Sequence, residues 1–146
     1  MMKIKLPLIL GLMILTSACS VIKKGPNSDV NAQVNNIVWG VISFKGKTLQ
    51  QQDFPNGLPH ITFDMQDSKI NGSDGCNNFM GLATYKGNSI KTGAIASTKM
   101  ACPGNTIETD FYDVLASGKL TWRLDSDETL RLLDNGLEVM ALKENQ

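Results

Sequence analysis

Short runs of strict two-residue alternation constrain this chain most. In residues 60–65, Ile61, Phe63 and Met65 alternate with Thr62 and Asp64. In residues 119–125, Leu120, Trp122 and Leu124 alternate with Thr121 and Arg123. Residues 36–43 divide the same way, with Ile37, Trp39 and Val41 on one side and Val38, Gly40 and Ile42 on the other. Residues 129–134 and 136–143 complete the series. Such alternation makes half-buried antiparallel strands with one dry and one wet face. Turn chemistry separates the runs at residues 55–59, 86–88, 126–128 and 134–136. The last of these, Asp134-Asn135-Gly136, is a strong two-residue hairpin signal.

One segment follows a different period. Ile107, Phe111, Val114 and Leu115 fall on one face of a helix. Asn105 with Glu108 three residues later fits a capping box, and Gly118 is placed to stop the helix. A helix of about three turns can cover an opening or face of a strongly curved sheet. The expected fold is therefore mainly β (α+β): a small curved antiparallel β-barrel-like sheet of about seven to eight strands with one packed α-helix. The gap between helix and sheet, lined by Phe111, Val114 and Leu115, is a candidate binding surface; the alternative is that these side chains simply fill the core.

At 146 residues the chain has room for one domain. Fourteen basic residues balance fourteen acidic ones, and no basic cluster is interleaved with aromatics. No strong field recruits nucleic acid.

The N-terminus reads as a processing signal rather than as fold. Lys3 and Lys5 precede an apolar run at residues 6–15, far short of the roughly 18 residues a membrane-spanning helix needs. Leu15-Thr16-Ser17-Ala18-Cys19 then resembles a bacterial lipobox, in which the cysteine is lipidated and becomes the mature N-terminus. Residues 1–18 are thus expected to be a lipoprotein signal peptide, with Cys19 the lipidation site. Without the signal the charge is −2. Ser20, in place of an aspartate, suggests the outer membrane of a Gram-negative host, with the domain facing the periplasm. Residues 19–35 are polar and show no hydrophobic period, which predicts a flexible tether with a reach of roughly 20–25 Å ahead of a domain at 36–146.

The stretch Gly72-Ser73-Asp74-Gly75-Cys76-Asn77-Asn78-Phe79-Met80-Gly81 reads as a loop holding a cysteine among glycines and asparagines. With Cys19 in the anchor, the mature fold keeps Cys76 and Cys102, and an even pair in an exported chain favours a disulfide. Such a bridge would stabilise the domain by roughly 3.5 kcal/mol on the chain-entropy model. Other chemistries are less well supplied. A cysteine nucleophile needs a base, and His60 is the single histidine. Two cysteines and one histidine do not make a structural zinc set, and the EF-hand pattern is not met. The carboxylates Asp64 and Asp67, and Asp125 and Asp127, sit in turns or on wet faces and read as solvated charges. No catalytic constellation stands out, and no cofactor or metal is expected.

These residues together resemble the META/HslJ family. The resemblance rests on Gly75-Cys76-Asn77 with Phe79 and Gly81, on Thr98-Lys99-Met100-Ala101-Cys102, and on Glu108 at the helix start. Trp39 fits the early tryptophan, and the likeness covers about residues 37–142. Lys99 departs from it where arginine is more usual, and lysine does not reproduce a planar bidentate contact. The resemblance implies a small β-rich domain with one helix, common on envelope lipoproteins. It also implies an association with envelope or heat stress and antibiotic tolerance, and no established catalytic activity or cofactor. Gly75, Asn77, Gly81, Thr98 and Met100 are then chiefly architectural. The expected function is a non-enzymatic, lipid-anchored envelope protein that binds a protein partner or apolar ligand. The alternatives are a pilotin-like chaperone for a secretin segment and an inhibitor of a periplasmic hydrolase.

Overall fold

The structure is a computed structural model that describes residues 31–102, 104 and 107–145. The signal peptide, Cys19, most of the tether and Asn105 lie outside the described residues.

Nine antiparallel strands form one sheet: β1 (Val38–Phe44), β2 (Lys47–Thr48), β3 (His60–Asp64), β4 (Lys69–Ser73), β5 (Asn78–Lys86), β6 (Ser89–Ser97), β7 (Leu120–Leu124), β8 (Leu130–Asp134) and β9 (Leu137–Glu144). Each strand from β3 onward pairs with the next, and β9 returns to β1 from Trp39↔Glu144 to Phe44↔Met140. The sheet thereby closes into a ring, with β2 a two-residue spur on β1. This is the small curved barrel-like fold expected from the alternation. Closure removes the open edges that an unclosed sheet of this length would expose.

The alternating runs become strands because their apolar set turns inward. Ile61 and Phe63 of β3, Leu120 and Trp122 of β7, and Leu130 and Leu132 of β8 are all buried. The hairpin between β8 and β9 forms on Asn135 and Gly136, with φ of 50° and 83°, the two left-handed residues that a type I′ turn requires. Aromatic rings fill the interior at two levels. Phe111 lies 6.2 Å from Phe44 and 5.8 Å from Phe79, while Trp122 lies 6.4 Å from Phe63 and 6.3 Å from Tyr85. Tilted and edge-on contacts of this kind suit the ring quadrupoles.

The ring is weakest between β6 and β7, which share only the pairs Ser89↔Thr121 and Ile90↔Leu120. The main helix, Glu108–Ala116, fills that gap. Thr92 Oγ1 donates to the Leu115 carbonyl at 2.5 Å, and Phe111, Val114 and Leu115 point into the core. Ile107 occupies the N-cap position and its side chain makes no capping bond; of the capping box expected of Asn105 and Glu108, Asn105 lies outside the described residues. The helix stops at Ser117, followed by Gly118 at φ 72°.

Two sequence-based boundaries move. The polar tether ends before residue 35, because residues 31–34 are helical and Val34 is fully buried. Trp39 Nε1 donates to the Val34 carbonyl at 3.1 Å, and Asn35 bridges to Phe63 while its Oδ1 accepts from Met65 N at 2.8 Å. The glycine-rich loop also shrinks, since Gly72 lies in β4 and Gly81 in β5, leaving only residues 74–77 as the turn. Pairing from both neighbouring strands outweighs the poor strand propensity of glycine and asparagine there.

Candidate functional site

The turn at residues 74–77 is organised by a fully buried carboxylate. Asp74 Oδ1 accepts the backbone N–H of Cys76 at 2.8 Å and of Asn77 at 2.7 Å, and Asp74 N donates to the Asn77 carbonyl at 3.0 Å. An aspartate that satisfies its own turn is the reason such residues nucleate turns. From outside, Asn56 closes the turn, its Nδ2 donating to the Cys76 carbonyl at 2.9 Å and its N–H to Gly75 O at 3.2 Å. Gly75 has φ +89°, and a Cβ on it would lie 2.3 Å from the Phe54 ring. Only glycine fits there.

The same turn holds the far segment. Cys76 and Cys102 are joined by a disulfide with Cα atoms 6.2 Å apart, inside the span such bridges accept. Asn77 is fully buried, and its Oδ1 accepts from Thr98 Oγ1 at 3.0 Å and from Met100 N at 2.8 Å. Thr98 Oγ1 in turn accepts Asn78 N at 3.1 Å. Gly75, Cys76, Asn77, Thr98, Met100 and Cys102 therefore form one clamp that fixes the end of β6 to the β4–β5 turn. Gly81 stands apart from it within β5, where a Cβ would lie 2.9 Å from the Ala94 carbonyl. Glu108 and Lys99 meet at 3.5 Å on the surface, and Lys99 also lies 5.8 Å from the Tyr112 ring centroid.

Cys76 is buried and bonded, so it presents no thiol. His60 sits on β3 opposite Ser73 and Gly40. Among the described residues no group of three or more His, Cys, Asp or Glu could hold a metal ion, and no helix is long and apolar enough to cross a membrane. The paired carboxylates differ from one another. Asp64 Oδ1 accepts Asp67 N within a turn, and Asp67 pairs with Lys69 at 2.9 Å. Asp125, expected to be merely solvated, is ion-paired with Arg131 at 2.5 Å and Arg123 at 2.7 Å, which lower its pKa. Tyr112 is pushed up to about 12, first by burial and then by the negative charge of Asp74.

Phe111, Val114 and Leu115 are at most 5% exposed and belong to the core, so the gap they were expected to line as a binding surface is filled by their own packing. The accessible apolar surface lies elsewhere, on the outside of β4, β5 and β6. A groove of about 880 Å³ crosses these strands, in the size range of small-molecule sites. Met80 and Leu82 stand out of it at 67% and 66% exposure, beside Ala94 and Ala96, with Asn71 and Lys69 on the neighbouring strand. Its signal in the sequence is that β5 is apolar on both faces: Phe79 and Ala83 turn inward while Met80 and Leu82 turn outward.

The model of the META domain matches residues 32–146. A solution NMR structure of a protein from Burkholderia xenovorans superposes with a TM-score of 0.61 at 16% identity, covering 92% of this chain and 99% of that one. A second NMR structure gives a TM-score of 0.61 at 22% identity, covering 77% of this chain and 92% of that one. At these identities the likeness concerns the fold. No curated protein matches significantly. With the whole described ring, the clamp and the helix inside the matched span, the chain belongs to the META domain family.

Proposed function

We propose that this chain is a non-enzymatic, lipid-anchored protein of the bacterial envelope, facing the periplasm from the outer membrane. Its META domain binds a protein partner or apolar ligand and contributes to envelope stress or antibiotic tolerance. The observation that carries the binding role is the groove over β4–β6, where Met80 and Leu82 remain two-thirds exposed on an otherwise well-packed barrel. Contiguous apolar surface of this kind marks interaction sites. The Cys76–Cys102 bridge supports export, because such bonds persist in oxidising compartments. The short apolar run at residues 6–15, followed by small residues leading to Cys19, supports the anchor.

The test of binding is titration with the neutral apolar fluorophore N-phenyl-1-naphthylamine. Saturable binding abolished by Leu82→Asp, in a variant whose melting temperature is unchanged, supports the reading. Binding that ignores Leu82→Asp, or no saturable binding, sinks it. Anchoring is tested separately by mass spectrometry of membrane-extracted protein, where an unmodified Cys19 would remove that part of the proposal.

A further inference from the structure

The outward face of β5 and β6 changes character from the groove to the strand ends beyond it. Strand pairing sets Asn71, Met80 and Ala96 in one row and Lys69 beside Leu82 in the next. Beyond these, Thr84 lies opposite Lys91 and Lys86 opposite Ser89, all of them exposed. The outer face of β5 and β6 therefore runs from an apolar centre to a cationic end. No carboxylate lines the groove. Lys69 is neutralised by Asp67, but Lys86 and Lys91 make no ion pair among the described residues. This local excess of positive charge stands on a chain whose formal net charge is zero. Of the acidic residues of the helix, Asp110 pairs with Lys45 and Glu108 with Lys99, while Asp113 stands on the far side of β6, in a hollow it shares with Ala94 and Ile95.

Resting on the reading of the groove as a binding site, we propose that its ligand is an anionic amphiphile with a single acyl chain. The tail lies over Met80, Leu82, Ala94 and Ala96, and the anionic head reaches Lys91 and Lys86. From the row of Met80 to that of Lys86 the strand advances about 20 Å, roughly the length of a long-chain fatty acid. The small side chains of Ala94 and Ala96 leave the strip between β5 and β6 free for a chain to lie flat. A neutral ligand would leave the two lysines unused, and a polar anion would leave Met80 and Leu82 in water. One amphiphile answers both.

The experiment is a titration of palmitate, below its aggregation concentration, into the full chain carrying Cys19→Ser, followed by the methyl resonances of Met80 and Leu82. Saturation at one equivalent is expected, with binding weakened at least tenfold by Leu82→Asp and several-fold by the double change Lys86→Glu and Lys91→Glu. Palmitamide, with the same tail and no charge, should bind several-fold more weakly than palmitate. Leu137→Asp, at the exposed β8–β9 turn, should change nothing. Equal binding of palmitate and palmitamide, indifferent to the lysine changes, overturns the amphiphile assignment, while naphthylamine binding lost in Leu82→Asp keeps the groove itself. Binding to anionic phospholipid vesicles without binding of monomeric palmitate also overturns it and makes this face a bilayer contact. Absence of both palmitate and naphthylamine binding in the chain with Leu82 intact removes the groove as a site.

Discussion

The side-chain carbonyl of buried Asn77 accepts the backbone N–H of Met100, 23 positions away, at 2.8 Å, and so ties the end of β6 to the turn that carries Cys76. It accepts Thr98 Oγ1 at the same atom. Asn77 is fully buried and serves two donors at once, so removing its carbonyl breaks both hydrogen bonds and empties a packed position, although Thr98 and Met100 themselves are exposed. Asn77→Ala is expected to lower the unfolding free energy by about 2–3 kcal/mol. Urea denaturation checks this. A loss below about 0.5 kcal/mol would mean that water enters and satisfies the donors.

The disulfide acts on the same two segments through the unfolded state. Its ends are separated by 26 positions, for which loop-closure entropy predicts roughly 3.5 kcal/mol of stabilisation. The double variant Cys76→Ser and Cys102→Ser should show about that loss, again by denaturant titration. Combining it with Asn77→Ala tests coupling. The clamp residues share one segment, so the combined loss should differ from the sum of the separate losses by more than about 0.5 kcal/mol.

Gly75 separates two causes of strain that a single substitution confounds. Gly75→Ala places a side chain at φ +89° and drives a Cβ to 2.3 Å from Phe54. The left-handed conformation alone costs about 1–2 kcal/mol, and displacing the buried Phe54 ring adds to it. The expected loss is therefore about 2–4 kcal/mol, larger than the backbone term by itself. In a Phe54→Ala background the penalty of Gly75→Ala should fall to about 1–2 kcal/mol. An unchanged penalty would place the whole cost in the backbone.

Much of this architecture is legible in the sequence because alternation and turn chemistry agree. Ile61 and Phe63, and Leu120 and Trp122, state which face is dry, and Asn135-Gly136 states where the last hairpin turns. What is not legible depends on neighbours distant in sequence. Gly72 and Gly81 look like loop residues, and only the pairing of β4 with β3 and of β5 with β6 makes them strand. Val34 looks like one apolar residue in a polar tether until the ring supplies the cavity it fills. The outward pair Met80 and Leu82 is hidden for a different reason. Alternation is normally read as one dry and one wet face, and β5 breaks that rule by being apolar on both.

The tyrosines carry the last prediction. Both tyrosines of the chain are held neutral beyond the ordinary range, Tyr112 to about 12 and Tyr85 also upward, in each case first by burial. A phenol whose folded pKa is raised favours the folded state while it stays neutral. Its contribution is complete below the unfolded value near 10 and is lost as pH rises toward the folded value. Stability should therefore be insensitive to these groups up to about pH 9 and fall between roughly pH 10 and 12. Absorbance at the phenolate band should stay low through pH 10 in the folded protein and rise at that pH in denaturant. Tyr112→Phe should flatten part of the alkaline decline, since it removes one of the two ionising groups while keeping the ring against Phe79 and Phe111. A phenolate that appears near pH 10 while the circular dichroism remains native, and that is absent in Tyr112→Phe, would show that water reaches the Tyr112 hydroxyl, and the buried environment around Asp74 would have to be redrawn.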